Sequence, residues 1–356
     1  MARLAVKDLS KRFGEVVAVD GIDLEIEERE LVSLLGPSGC GKTTTLRCIA
    51  GFETPTAGRI LFDGADILGL PPEARNIGMV FQNYALFPHM TVTQNLAFGL
   101  EMRRVPKAEM AARIARVLET VQLEGYGERY PRQLSGGQQQ RIALGRALVI
   151  EPRVLLLDEP LANLDAKLRE EMRFFVRSLQ KRVGITTVYV THDQAEAMVI
   201  SDRIAVMFQG GIHQIGTPTE IYMRPVSREV ANFIGLSNFI EARVRGRDEG
   251  GAYVLESALG EIRSAHLDSL REGEAVTLIV RPEAIVLLKD KPDRVGANAI
   301  SGRVKERYFL GNITGYRIAC AGDAVLQVQG EPWAAFAIGD PIWCRFDADK
   351  TWIIGD

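Results

Sequence analysis

Long hydrophobic runs are missing from this chain. Its uninterrupted apolar stretches are only a few residues long, such as Val154 to Leu157, whereas a bilayer-crossing helix needs about 20. A membrane-spanning role is therefore not expected. The opening segment, Met1 to Arg12, alternates apolar and charged residues and lacks the apolar block of a secretory signal, so the chain is expected to stay in the cytoplasm. Cysteine is scarce: Cys40, Cys48, Cys320 and Cys344 are the only four, and none stands in a CxxC pair. This argues against a disulfide framework or a thiolate metal site. Histidine is just as sparse, with four in all; His89, His213 and His266 read as solvated or structural. An excess of positive charge is absent too. The net charge is −3, so neither nucleic acid nor anionic lipid is a default partner.

What is present is an ordinary globular composition over 356 residues, enough for two domains. The first two-thirds alternates β-rich and helix-patterned runs, the signature of an α/β fold. Lys107 to Val121 sets Met110, Ile114, Val117, Leu118 and Val121 on one stripe, which predicts an amphipathic helix inside a helical insert spanning about 84–146. From about Leu236 the pattern changes to short strands separated by turns, predicting a small β-barrel or sandwich. Some barrels of that size bind nucleic acid, but residues 236–356 hold 15 basic against 18 acidic residues, which speaks against a nucleic-acid groove. The expected domains are 1–235 and 236–356.

Between an apolar strand (LVSLL) and a helical run stand Gly36, Pro37, Ser38, Gly39, Cys40, Gly41, Lys42 and Thr43, matching G-x-x-x-x-G-K-[ST]. Glycines let the backbone close around phosphate oxygens, and the N-terminus of the next helix adds its positive end. Lys42 supplies a cation for the β and γ phosphates, Thr43 a hydroxyl for Mg²⁺, and Thr44 continues the cradle. Cys40, inside this loop, reads equally as a reactive thiol or as a small residue in a small space. Downstream, the apolar run Val154 to Leu157 ends in Asp158 and Glu159. A buried parallel strand has that continuous hydrophobicity, and its C-terminal end is where open α/β sheets present ligands. Asp158 is assigned to Mg²⁺ and Glu159 to general-base activation of water.

Leu134-Ser135-Gly136-Gly137-Gln138 then opens another helical run. A serine and two glycines at a helix start make a second anion site. One chain already has its own phosphate loop, so this second site is expected to serve the nucleotide of another copy. With Gln82, the LLLDEP strand, LANLD and His192, these motifs fall in the order and approximate spacing of ABC transporter ATPase subunits. The resemblance covers nearly the whole chain.

That resemblance implies a P-loop cassette followed by an all-β, OB-like (TOBE-type) regulatory domain. It implies an active, transport-coupled ATPase using ATP and Mg²⁺, with Lys42, Glu159 and His192 as its catalytic set. It also implies a head-to-tail homodimer in which Ser135, Gly136, Gly137 and Gln138 grip the partner's ATP. Phe13 corresponds to the adenine-stacking aromatic, Gln82 to the loop glutamine near Mg²⁺ and water, and His192 to the γ-phosphate sensor. Asp165 corresponds to the loop that crosses the dimer interface. Ala162-Asn163 departs from the more frequent serine-alanine pairing, and importer members of the family tolerate this.

A single cassette without fused membrane helices, trailed by RPEAIVLL and RYFLGNITGYRIA, resembles importers of the maltose, sulfate, ferric iron and polyamine groups. The implied partners are two membrane permease subunits and, through them, a periplasmic or extracellular solute-binding protein. The implied location is peripheral, on the cytoplasmic face of the cell (inner) membrane. Polyamine, ferric iron or phosphonate-type cargo is preferred over sugar or sulfate. Soluble ABC ATPases acting on DNA or ribosomes usually carry paired cassettes, coiled coils or zinc insertions, and none appears here. The tail could also serve as a sensor that restrains hydrolysis.

Overall fold

The computed structural model describes residues 2–265, 269–292, 297–334 and 336–355; His266 lies outside them. Two compact units are present, Met1–Ile221 and Tyr222–Asp356. In the first, a six-stranded sheet runs in the order Gly211–Gly216, Arg203–Phe208, Leu31–Leu35, Thr186–Thr191, Val154–Asp158, Ile77–Val80. All neighbours are parallel except the antiparallel Gly211–Gly216 edge.

The three central strands are buried along their whole length, as parallel strands covered on both faces must be. Their period-two alternation divides the core. Leu155, Leu157 and Tyr189 point to one face, among residues of the helices Val92–Met102, Lys107–Thr120, Gly136–Leu148 and Ala166–Val183. Val154, Leu156, Val188 and Val190 point to the other face. There they meet the helix Lys42–Ala50 and the antiparallel sheet made of Val16–Ile26, Leu4–Phe13, Ala57–Phe62 and Ala65–Asp66.

The predicted stripe on Lys107–Thr120 is seen: Ile114, Val117 and Leu118 are buried, Val121 follows them into the core, and Met110 packs against it. Asp202 ties the opposite ends of strands to a helix. It accepts from Leu31 N–H at 2.9 Å, from Arg177 at 2.7 and 3.1 Å and from Lys181 at 2.9 Å. Burial alone would raise its pKa, but the bonds from Arg177, Lys181 and the Leu31 amide hold it well below the usual carboxylate range.

The second unit has two five-stranded antiparallel sheets. One is ordered Gly260–Ser264, Tyr253–Ser257, Asn238–Arg247, Ala275–Val280, Thr351–Gly355. The other is ordered Val286–Leu288, Pro341–Asp347, Ala297–Phe309, Thr314–Ala319, Val325–Gly330. Val244, Leu255 and Leu278 from the first share a core with Val304, Tyr316 and Phe346 from the second.

This unit begins at Tyr222, ahead of the expected 235/236 division. The helix Arg228–Ile234 packs Ala231 against Ile279 and Ile354. Arg281 then binds the preceding segment, donating to the carbonyls of Tyr222, Ala231, Gly235 and Leu236 at 2.7–3.2 Å and to Ser237 Oγ at 2.6 Å. The Arg281 guanidinium also lies 4.1 Å from the Tyr222 ring centre.

Candidate functional site

The phosphate loop leaves the buried strand Leu31–Leu35 and enters the helix Lys42–Ala50 through two left-handed glycines, Gly39 at φ 81° and Gly41 at φ 102°. Side chains are excluded here for two separate reasons. The backbone conformation strains any L-residue, and a Cβ on Gly41 would stand 2.4 Å from Ala18 O. At Gly36, in ordinary backbone, a Cβ would meet Met207 O at 2.2 Å and Cys40 Sγ at 2.6 Å. Cys40 is 3% exposed, which favours the small-space reading of that thiol.

Pro37, Ser38 and Gly39 are exposed at the loop's crest. The first amides of the following helix, from Lys42 through Thr44, have no intrahelical acceptor and remain for an anion. Lys42 is buried, and its ammonium donates to Gly36 O and Pro37 O, each at 2.8 Å. The charge expected to meet phosphate thus lies across the loop's own carbonyls.

Thr43 Oγ1 donates to Asp158 Oδ1 at 3.0 Å, joining the two residues expected at Mg²⁺. Burial raises the Asp158 pKa, while the Thr43 bond opposes that rise. A hydroxyl and a carboxylate at hydrogen-bond distance, beside amides free for phosphate, are the hard oxygen donors that Mg²⁺ requires. The donor set fits the ion.

One residue farther, Glu159 turns out of the strand with φ 44°, a left-handed conformation, and its N–H donates to Val190 O at 3.0 Å. Its carboxylate is met from two sides: Gln82 Nε2 donates to Oε2 at 3.4 Å, and His192 Nδ1 lies 3.1 Å from Oε1. Glu159, Gln82 and His192 come from the ends of three neighbouring strands, and the fold brings them together.

Ser135 caps the helix Gly136–Leu148 in a reciprocal box with Gln138, Gln138 N–H to Ser135 Oγ at 3.3 Å and Ser135 N–H to Gln138 Oε1 at 3.0 Å. Gly136 and Gly137 lie against Leu164 and Leu168, so close that a Cβ would stand 3.2 and 2.9 Å from them. The hydrogen bonds described for Ser135 and Gln138 stay within this helix and the segment before it, away from the chain's own phosphate loop. Asp165 caps the helix Ala166–Val183 through Leu168 N–H at 3.0 Å. Phe13, at the end of its strand, is 46% exposed with Lys11 Nζ 4.7 Å from the ring centre, so it is not a core phenylalanine.

A relative matching nearly the full length decides what this geometry belongs to. Residues 19–162 match the ABC transporter family model and residues 278–354 the TOBE domain model. A spermidine/putrescine import ATP-binding protein of Chromobacterium violaceum is 47% identical over 98% of this chain and 98% of its own length. This chain belongs to the ABC transporter family. A second relative, the protein of the same description from Thermobifida fusca, is 46% identical over 99% of this chain and 93% of its own length.

Among solved structures, cbiO1 from Clostridium perfringens, part of the ABC transporter complex cbiONQ, is 33% identical with TM-score 0.57. It covers 61% of this chain and 89% of its own. The expected ABC cassette followed by a TOBE domain is therefore present. As an ABC-family member the chain is an ATP-binding protein, and none of its described helices is long and apolar enough to cross a membrane.

Two features of this ABC site escaped sequence reasoning. Arg146, in the helix after the signature, donates to Tyr84 O at 2.9 Å and Ala85 O at 2.7 Å. It holds a turn whose non-glycine residues have φ 61° and 48°. Asn95, fully buried, hydrogen-bonds the main chain of Phe87, Met90 and Thr91 and shapes the rest of the Gln82 loop. A buried asparagine on the capped helix Val92–Met102 was the one available signal.

Proposed function

We propose that the chain is the ATP-hydrolysing subunit of an ABC importer for polyamines, working as a homodimer beneath two membrane permease subunits on the cytoplasmic face of the membrane. The observation that carries the hydrolytic reading is the convergence of Gln82 and His192 on the Glu159 carboxylate, next to the Thr43–Asp158 pair. Glycine-lined amides and Lys42 bind the triphosphate, with Lys42 exchanging loop carbonyls for phosphate oxygens. Thr43 and Asp158, with Gln82, would hold Mg²⁺, which when bound neutralises charge developing on the phosphates. Glu159 orients the attacking water and accepts its proton, Gln82 and His192 fix that carboxylate, and His192 contacts the γ-phosphate. Phe13 stacks on adenine. Ser135, Gly136, Gly137 and Gln138 close on the ATP of the partner copy, so nucleotide binds the two chains together. The TOBE domain serves regulation.

Polyamine cargo is supported by full-length relatives named for spermidine and putrescine import. Reconstitution with permease and solute-binding protein in liposomes tests the whole reading: ATP-dependent spermidine or putrescine uptake, with hydrolysis stimulated by the loaded binding protein, is expected. Hydrolysis indifferent to those partners would remove the importer reading. Glu159→Gln is expected to keep ATP binding, accumulate dimers and lower kcat about a hundredfold or more.

A further inference from the structure

The loop after Glu159 reaches back to the Gln82 loop. Asn163 donates from Nδ2 to the main-chain carbonyl of Gln82 at 2.8 Å, and Gln82 donates from Nε2 to Glu159 Oε2 at 3.4 Å. Ala162 N–H in turn bonds Glu159 O at 3.2 Å, so the path closes on itself: Glu159, the short turn to Asn163, Gln82, and Glu159 again. Both ends of the Asn163 turn are fixed. Glu159 N–H is bound to Val190 O, and Leu164 O accepts from Arg169 at 2.9 Å just before the Asp165 cap. The Gln82 segment is pinned farther along, where Arg146 holds the carbonyls of Tyr84 and Ala85. That grip sets where the loop turns. Nearer Gln82 itself, the bond from Asn163 holds the main-chain carbonyl.

We infer that Asn163 is a positioning residue for hydrolysis, holding the Gln82 backbone so that the Gln82 amide stays on the Glu159 carboxylate. The inference rests on the roles proposed above for Gln82 and Glu159. Asn163 and Gln82 are both exposed in the single chain, where water competes for the same bond, so the contact contributes little to folding. A second copy closing over the site excludes that water and strengthens the contact. Its effect therefore belongs to kcat and not to stability or nucleotide affinity.

Steady-state ATPase assays of the full chain test this with Asn163→Ala, Gln82→Ala and the double variant, alongside thermal melts. Asn163→Ala is expected to lower kcat about fivefold, the scale of one neutral hydrogen bond, with KM and Tm unchanged. Asn163→Asp keeps the shape but turns an acceptor toward the Gln82 carbonyl, and is expected to lower kcat at least as far. In the Gln82→Ala background, Asn163→Ala should have no further effect, because the side chain it aims is gone. Wild-type kcat in Asn163→Ala, a matching fall in Tm, or the same fold loss on top of an impaired Gln82→Ala would each overturn the Asn163 role alone. Wild-type hydrolysis by Gln82→Ala would instead remove Gln82 from the machinery, and the inference with it.

Discussion

The two units of this protein are stabilised by different kinds of order. In Met1–Ile221 the informative residues stand at strand ends in uncommon backbone: Gly39, Gly41, Glu159, Tyr84 and Ala85 all have positive φ. Such positions cost of order 1–3 kcal/mol each for non-glycine residues and persist only where surrounding bonds hold them. Val190 O and Arg146 provide those bonds here. In Tyr222–Asp356 the core alternates regularly across two antiparallel sheets, and a buried cation, Arg281, donates to carbonyls of the same unit, as the buried Arg75 does in the first. Chemistry on a fixed ligand demands particular residues in particular conformations, while a β-sheet module demands mainly a pattern of burial.

The sharpest way to break that contrast is Gly41→Ala. A methyl 2.4 Å from Ala18 O in left-handed backbone should cost about 2 kcal/mol or more and abolish tight ATP binding, read by nucleotide titration and by melting of the first unit. An alanine variant with normal ATP affinity would mean that the loop does not need this conformation. Next comes Arg281→Ala. Four carbonyls and a serine hydroxyl lose their donor, so the TOBE-containing unit should lose about 3 kcal/mol in calorimetry while the cassette still binds ATP. Parallel loss of both would show that the units do not melt independently.

Phe13→Ala should weaken binding of any purine nucleotide about fivefold to tenfold without lowering Tm, since the ring is 46% exposed. The last expected effect is present at neutral pH and fades in acid. Asp202 has a folded pKa below its unfolded one, so the unfolded chain binds the extra proton and stability falls as pH drops. Its contribution is fully present above the ordinary carboxylate range and is lost through that range and below it. Denaturant melts of wild type and Asp202→Asn between pH 7 and pH 3 should converge on acidification.

The fold class and the candidate site residues were legible because they are written locally. Gly36 to Thr43, Asp158 with Glu159, and Ser135 with Gln138 each place their chemistry within a few residues, and the stripe on Lys107–Thr120 shows a helical period. Bonds joining distant segments left no such trace: Arg146 to Tyr84 spans 62 residues and Asn163 to Gln82 spans 81. The second compact unit starts at Tyr222. The helix Arg228–Ile234 continues the helical character of the cassette, and only its packing on Ile279 and Ile354 assigns it to the β-rich unit.

The two carbonyl bonds of Lys42 bear on how much its proposed contact with phosphate can contribute. An ammonium already satisfied by Gly36 and Pro37 has little to gain from an incoming phosphate beyond the difference between a neutral oxygen and an anionic one, because one bond is surrendered for each bond made. In the phosphate-binding role proposed above, the loop would compete with its own ligand, and the same competition would ease release once the terminal charge has departed.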